Sequence, residues 1–129
     1  MNKQWKILNW NIRGLNAETK WLALKQKIEE SAFSIVFLRE TKRENFDLAY
    51  IRNFCPTRFN IFEYLPSIGA SGGLLVVWNG ALFSGEQIFQ NRFSMSIQFT
   101  SDLSHQSWIL TNIYGPCEHN DKAVFIDWF

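Results

Sequence analysis

The first pattern along the chain is an alternation. Over residues 6–12, Leu8, Trp10 and Ile12 fall on one face and Ile7, Asn9 and Asn11 on the other, and Gly14 follows, which predicts a strand ending in a turn. Trp21, Leu24 and Ile28 then recur at helical spacing through residues 17–31, with Lys25, Lys27, Glu29 and Glu30 outside and Asn16 placed as the N-cap. The run Ile35-Val36-Phe37-Leu38 stops abruptly at Arg39 and Glu40, as a strand buried on both faces does when it emerges at an edge. A weaker helix is expected over 44–54, with Leu48, Ile51 and Phe54 on one side and Pro56 closing it.

Strands dominate the remainder. Residues 58–65 alternate, 68–73 form a Gly/Ser loop, and 74–78 are continuously apolar before the tight-turn pair Asn79-Gly80. Segments 84–90 and 94–100 read as a half-exposed antiparallel pair, and 108–114 as a mostly buried strand stopped by Gly115-Pro116. Asp121 is placed to cap a last helix bearing Val124, Phe125 and Trp128. No repeat, linker or low-complexity segment divides the 129 residues, so a single domain is expected.

Composition narrows the class. With 47% hydrophobic and 19% charged residues the chain has to bury a core, and its six Trp, three Tyr and twelve Phe supply the side chains for it. The longest apolar run, 74–78, is far short of the roughly 18 residues a bilayer span needs, so no membrane segment is expected. Asn2, Asn9 and Asn11 interrupt the start, which leaves no secretory leader and an intracellular address as the expectation. Cys55 and Cys117 lie far apart with no metal-binding spacing and are expected to be reduced and semi-buried. The net charge of +1 says nothing of a polyanionic partner, but eleven of the thirteen Lys and Arg lie in residues 1–60, so a basic face has to come from that half.

Three strand ends carry polar residues on otherwise apolar elements: Asn11, Glu40 and Tyr114. Singly, Asn11 is equally a turn residue, Glu40 a solvated carboxylate and Tyr114 a locally bonded aromatic. His105 and His119 read as exposed loop histidines, and the Glu118, His119 and Asp121 cluster matches no strong metal spacing.

Four blocks in this order carry more weight. Asn9-Trp10-Asn11-Ile12-Arg13-Gly14-Leu15, Leu38-Arg39-Glu40-Thr41-Lys42, Ser71-Gly72-Gly73-Leu74-Leu75-Val76 and Thr111-Asn112-Ile113-Tyr114-Gly115-Pro116 span nearly the whole chain. They resemble the first half of the endonuclease/exonuclease/phosphatase superfamily, in particular the apurinic-type endonuclease domain of plant non-LTR retrotransposons (long interspersed elements). The resemblance implies an α/β (α+β) fold, a partial DNase I-like four-layer α/β/β/α sandwich, in a hydrolase that cuts phosphodiesters, DNA foremost, with magnesium or manganese. By motif position it implies that Glu40 is a metal ligand, that Asn11 positions metal or phosphate, and that Tyr114 contacts the scissile phosphate. It also implies a nuclear setting, with the C-terminal half or a reverse transcriptase domain of the same polyprotein as partner.

The departures are as informative. Arg39 replaces the family's usual Gln, setting a cation beside the metal ligand, and Cys117 replaces a frequent Asn. The family's Gly-Asp-Phe-Asn block and its terminal Ser-Asp-His block, which supplies the general base, have no counterpart before Phe129. The expectation is therefore one incomplete domain over 1–129, cut at its C-terminal end, with weakened metal binding, little turnover of its own, and Leu75, Val77, Ile109 and Ile113 left short of cover. The alternatives are a non-catalytic nucleic-acid or protein interaction remnant, in which the basic half binds phosphates, and a decayed genomic remnant.

Overall fold

The computed structural model describes residues 6–91, 93–113 and the backbone of 125–128. In chain order the elements are β1 (Lys6–Asn11), α1 (Glu18–Glu29), β2 (Phe33–Arg39), α2 (Leu48–Ile51), β3 (Phe59–Leu65), β4 (Leu74–Asn79), β5 (Phe83–Gln90), β6 (Ser94–Ser101), β7 (Ser107–Ile113) and β8 (Phe125–Trp128). One sheet has the order β1-β2-β4-β3, with β1 and β2 parallel and the other pairs antiparallel; the second is the antiparallel meander β5-β6-β7-β8.

β2 and β4 lie inside the first sheet and are apolar on both faces because both faces are covered. Val36, Leu38, Leu75 and Val77 pack with Leu24 and Ile28 of α1 and Ile51 of α2. Ile35, Phe37, Leu74, Val76 and Trp78 pack with Met95, Ile97, Phe99, Trp108 and Leu110 of the second sheet. Leu75 and Val77 are thus fully buried under the helices rather than short of cover. Their parity in β4 turns them away from the second sheet. Ile109 and Ile113 are half-buried on the outer face of the second sheet, where the hydroxyl pairs Ser96–Thr111 (2.8 Å) and Thr100–Ser107 (2.9 Å) also lie. Among the described residues no helix covers that face, so helix, sheet and sheet are the three layers seen. No described helix is long and apolar enough to cross a membrane.

Several elements differ from their sequence expectation, each for a local reason. Asn16 does not cap α1, whose N-cap is Ala17 without a side-chain hydrogen bond. Instead Asn16 Nδ2 donates to the Lys42 carbonyl at 3.0 Å. The helix expected over 44–54 shrinks to one turn because Asp47 accepts from the Tyr50 amide at 2.8 Å and starts it there, while Phe46 is buried ahead of it. The Asn79-Gly80 turn forms, with Leu82 N donating to Asn79 O, but it carries the chain from one sheet to the other rather than closing a hairpin. The final segment is no helix: Phe125–Trp128 forms β8, with Trp128 opposite Trp108. Aromatic and β-branched residues in succession there suit a strand.

Cys55 sits in the helix-side core at 3% exposure, buried more deeply than expected, and is free. Cys117 falls outside the described residues. Burial pushes the Cys55 thiol from its ordinary 9.0 up to about 12, against the opposing pull of Arg52 and Arg58. Between those two values the unfolded chain has lost this proton and the folded chain has kept it. Stability should therefore fall as pH rises through that window, by about 1.4 kcal/mol per pH unit from this group. Urea denaturation from pH 8.5 to 11 should show a steeper decline in the parent than in Cys55→Ala, which loses packing at all pH values; parallel declines would exclude the effect.

Candidate active site

The site begins where the parallel pair β1 and β2 runs out. Asn11 is the register partner of Arg39, and the pairing continues past the strands: Ile12 N donates to Arg39 O (3.0 Å), Gly14 N to Glu40 O (2.7 Å) and Leu15 N to Thr41 O (3.0 Å). On the other side Thr41 N donates to Gly73 O (3.1 Å), Lys42 N to Gly72 O (2.8 Å) and Ser67 N to Arg43 O (3.0 Å). Residues 40–43 are therefore clamped between two loops by main-chain bonds, to which Asn16 Nδ2 adds its bond to Lys42 O. Side chains from the helices secure the first loop: Lys20 Nζ donates to Ile12 O at 2.7 Å and Trp21 Nε1 to Leu15 O at 2.7 Å.

Inside that clamp the backbone is strained. Glu40 has φ 55° and Lys42 φ 56°, and Arg13 across from them has φ 54°, all in the left-handed region that costs a side-chain-bearing residue roughly 1 kcal/mol or more. Strain of this kind persists only where the surroundings over-determine it, and it clusters at functional sites. Glu40 is half-buried, and among the described residues its carboxylate takes no hydrogen bond or ion pair. Asn11 Oδ1, at the end of β1 opposite Arg39, is buried without a partner among the described residues, as is Thr41 Oγ1. Buried polar groups are ordinarily paired, so unpartnered oxygens gathered at one strand edge mark a place for a ligand.

The second sheet contributes to the same end. Trp78 stands opposite Ile35 at the start of β2, and it meets Phe99 (5.1 Å between rings), which meets Trp108 (4.9 Å) at the start of β7. The far end of β7 therefore lies at the end of β2. There Asn112 continues the inward parity of Trp108 and Leu110, is fully buried, and among the described residues leaves Nδ2 without a partner. The sequence reading missed Asn112, although a polar residue on the apolar side of an alternating strand was the available signal. Tyr114, like His119, Glu118 and Asp121, falls outside the described residues. His105 is an exposed turn residue with φ 61°, its amide donating to Ser101 O, at the opposite end of β7.

Arg39 is 2% exposed and shares the inward parity of Ile35 and Phe37, between the sheets. No group of three His, Cys, Asp or Glu occurs among the described residues. One carboxylate with an amide oxygen is a donor set that fits magnesium, which takes oxygen ligands, keeps several waters and needs few protein carboxylates. It would not suit a closed zinc site.

An α/β fold of two packed sheets, with oxygen donors at the ends of adjoining strands, is the class that these features define. The crystal structure of the AP endonuclease LMAP from Leishmania major has a similar fold, at a TM-score of 0.59 and 17% identity. The match covers 85% of this chain and 40% of that one, so the chain spans less than half the length of the solved structure it resembles. No protein-family model matches the chain, and no curated protein matches it.

Gly73 is the most exacting position around the site. Its φ is 95°, and a Cβ there would fall on Thr41 Oγ1 and come within 3.3 Å of Lys42 N. Gly73→Ala should destabilise the protein by roughly 2 kcal/mol or more. Thermal melts check the size, and amide exchange at Thr41 and Lys42 should quicken more than in the second sheet. A neutral substitution would show that the clamp gives way without cost.

Proposed function

We propose that the chain is part of a metal-dependent phosphodiesterase of the endonuclease/exonuclease/phosphatase superfamily, of the kind carried by plant non-LTR retrotransposons, acting on DNA in the nucleus. The observation that carries this is the strained, clamped backbone of Glu40 just past the end of β2, with the buried and unpartnered Asn11 Oδ1 at the end of the neighbouring β1, on a fold similar to that of a solved AP endonuclease. Glu40 and Asn11 would hold magnesium or manganese, and Tyr114 would donate to a non-bridging phosphate oxygen. Such an ion supplies charge stabilisation for the phosphate and the leaving oxygen.

This chain's residues account for holding and orienting a phosphodiester. The Asp-His pair that activates water in the family has no counterpart among the 129 residues, so the isolated chain is expected to bind nucleic acid more readily than it turns it over. A C-terminal half or a reverse transcriptase domain is the partner that would complete it. The basic first half favours a second reading, a binding module without catalysis.

Glu40→Gln separates the two, being isosteric and no worse placed at a left-handed φ. Manganese binding, followed by the electron spin resonance of the free ion, should weaken at least about tenfold in the variant, since even indirect support of a metal ligand is worth that much. Any magnesium-dependent nicking of supercoiled plasmid should vanish with it. Unchanged manganese affinity would overturn the metal site and leave the binding module.

A further inference from the structure

Resting on the phosphodiesterase reading, we propose that Arg39 makes metal binding conditional on the phosphate. By cancelling the charge of Glu40 it withholds the electrostatic pull on a bare divalent cation, and a bound phosphodiester restores that pull. Arg39 acts through the site's charge, as a positioning residue and not as a ligand.

The placement comes from register and parity. Arg39 and Asn11 are partners at the end of the parallel pair, on strands about 4.8 Å apart. Ile7 packs with the core between the sheets, and Asn11 shares its parity along β1, as Arg39 shares that of Ile35 and Phe37 along β2. The two side chains therefore leave neighbouring backbone positions on the same inward face, with Leu74 flanking Arg39 on its other side. Glu40 is the next residue, its backbone held at φ 55° by the clamp. From the opposite sheet comes Asn112, whose Nδ2, a donor, is buried and without a partner among the described residues.

Formal charge decides what such a strand end holds. A guanidinium does not shed its proton, and at 2% exposure solvent screens it little. The carboxylate beside it is offset, so a bare cation finds oxygen donors but no net negative charge. A phosphodiester brings one negative charge and meets two groups suited to it, the guanidinium and the Asn112 amide donor. With the phosphate in place the strand end is negative again, and the cation follows. Whatever else the guanidinium touches, the sign of its effect is fixed: positive charge at this position disfavours cations and favours anions. By linkage the cation tightens the phosphate by the same factor as the phosphate tightens the cation.

The test is manganese titration of the whole chain, read by the electron spin resonance of the free ion, with and without thymidylyl-thymidine, a DNA fragment with a single phosphodiester. In the parent the dinucleotide should tighten manganese binding at least about tenfold, after correction for manganese held by the dinucleotide alone. Arg39→Gln should tighten manganese binding in the absence of dinucleotide roughly five- to fiftyfold, and weaken dinucleotide binding in EDTA, followed by amide shifts, at least about threefold. The coupling should shrink accordingly. Arg39→Lys keeps the charge and should stay near the parent in manganese affinity without dinucleotide. An Arg39 that serves only to hold the fold would weaken manganese binding in both variants, and that result would overturn the proposal, as would unchanged manganese affinity in Arg39→Gln. A parent whose manganese affinity ignores the dinucleotide would overturn it with no variant needed. The metal reading itself fails by a different result, unchanged manganese affinity in Glu40→Gln; where that variant does weaken binding, a null result at Arg39 sinks the coupling alone.

Discussion

Everything at the candidate site depends on the main-chain clamp around residues 40–43. β2 delivers Arg39 to the edge of the sheet, and from there the chain is gripped from the β1 side by the amides of Ile12, Gly14 and Leu15 and from the β4 side by the carbonyls of Gly72 and Gly73. Two left-handed residues in a run of three would not persist in a free loop. Six hydrogen bonds, each worth about 1 kcal/mol net, are enough to hold them. The glycines are what allow the grip: Gly73 comes so close to Thr41 that no side chain fits between. The same loops also set Ser67 beside Arg43, through the bond from Ser67 N to Arg43 O.

Arg39 is the residue at odds with a metal site. Its parity carries it between the sheets, in register with Asn11 on one side and Leu74 on the other. A guanidinium on that side is a like charge to any divalent ion bound at Glu40 and Asn11, and low exposure gives it little solvent screening. It is an equally good counter-charge to a phosphate.

Much of the architecture was legible in the sequence because it rests on parity. Alternation in β1 placed Leu8 and Ile12 under the helices and Asn9 and Asn11 on the other face, and the unbroken run in β2 announced a strand covered twice. What parity does not encode was missed. Which face of β4 meets which layer depends on the strand order β1-β2-β4-β3, and Leu75 and Val77 were misplaced for that reason. Asn16 reads as a helix cap until the parallel pairing brings Lys42 and Arg43 to it from 26 and 27 residues away. The site was legible as residue types at strand ends, Asn11 and Glu40, and Asn112 could have been found from its parity in β7, but Ser67 and Thr41 could not, since a buried unpartnered oxygen is a property of packing.

The precision of the site is set at a distance from it. Asn112 belongs to the second sheet and Asn11 and Glu40 to the first, and no main-chain hydrogen bond of a shared sheet joins them. Their spacing is fixed by how the sheets stack, which in turn rests on the aromatic cluster of Trp78, Phe83, Phe99 and Trp108 at the opposite end. Phe83 meets Phe99 at 6.0 Å and Trp108 at 5.9 Å, nearly perpendicular to the latter, and each such pair contributes roughly 0.5–1.5 kcal/mol beyond its buried area. Trp78 alone comes from the first sheet, so it is the hinge pin between the two. A smaller residue there would leave a void in a close-packed core and let one sheet settle against the other. Because strands are stiff levers, a small shift at Trp78 reappears at the strand ends as misplacement of Asn112 relative to Asn11, and a site built from two sheets then loses register without losing any of its own residues.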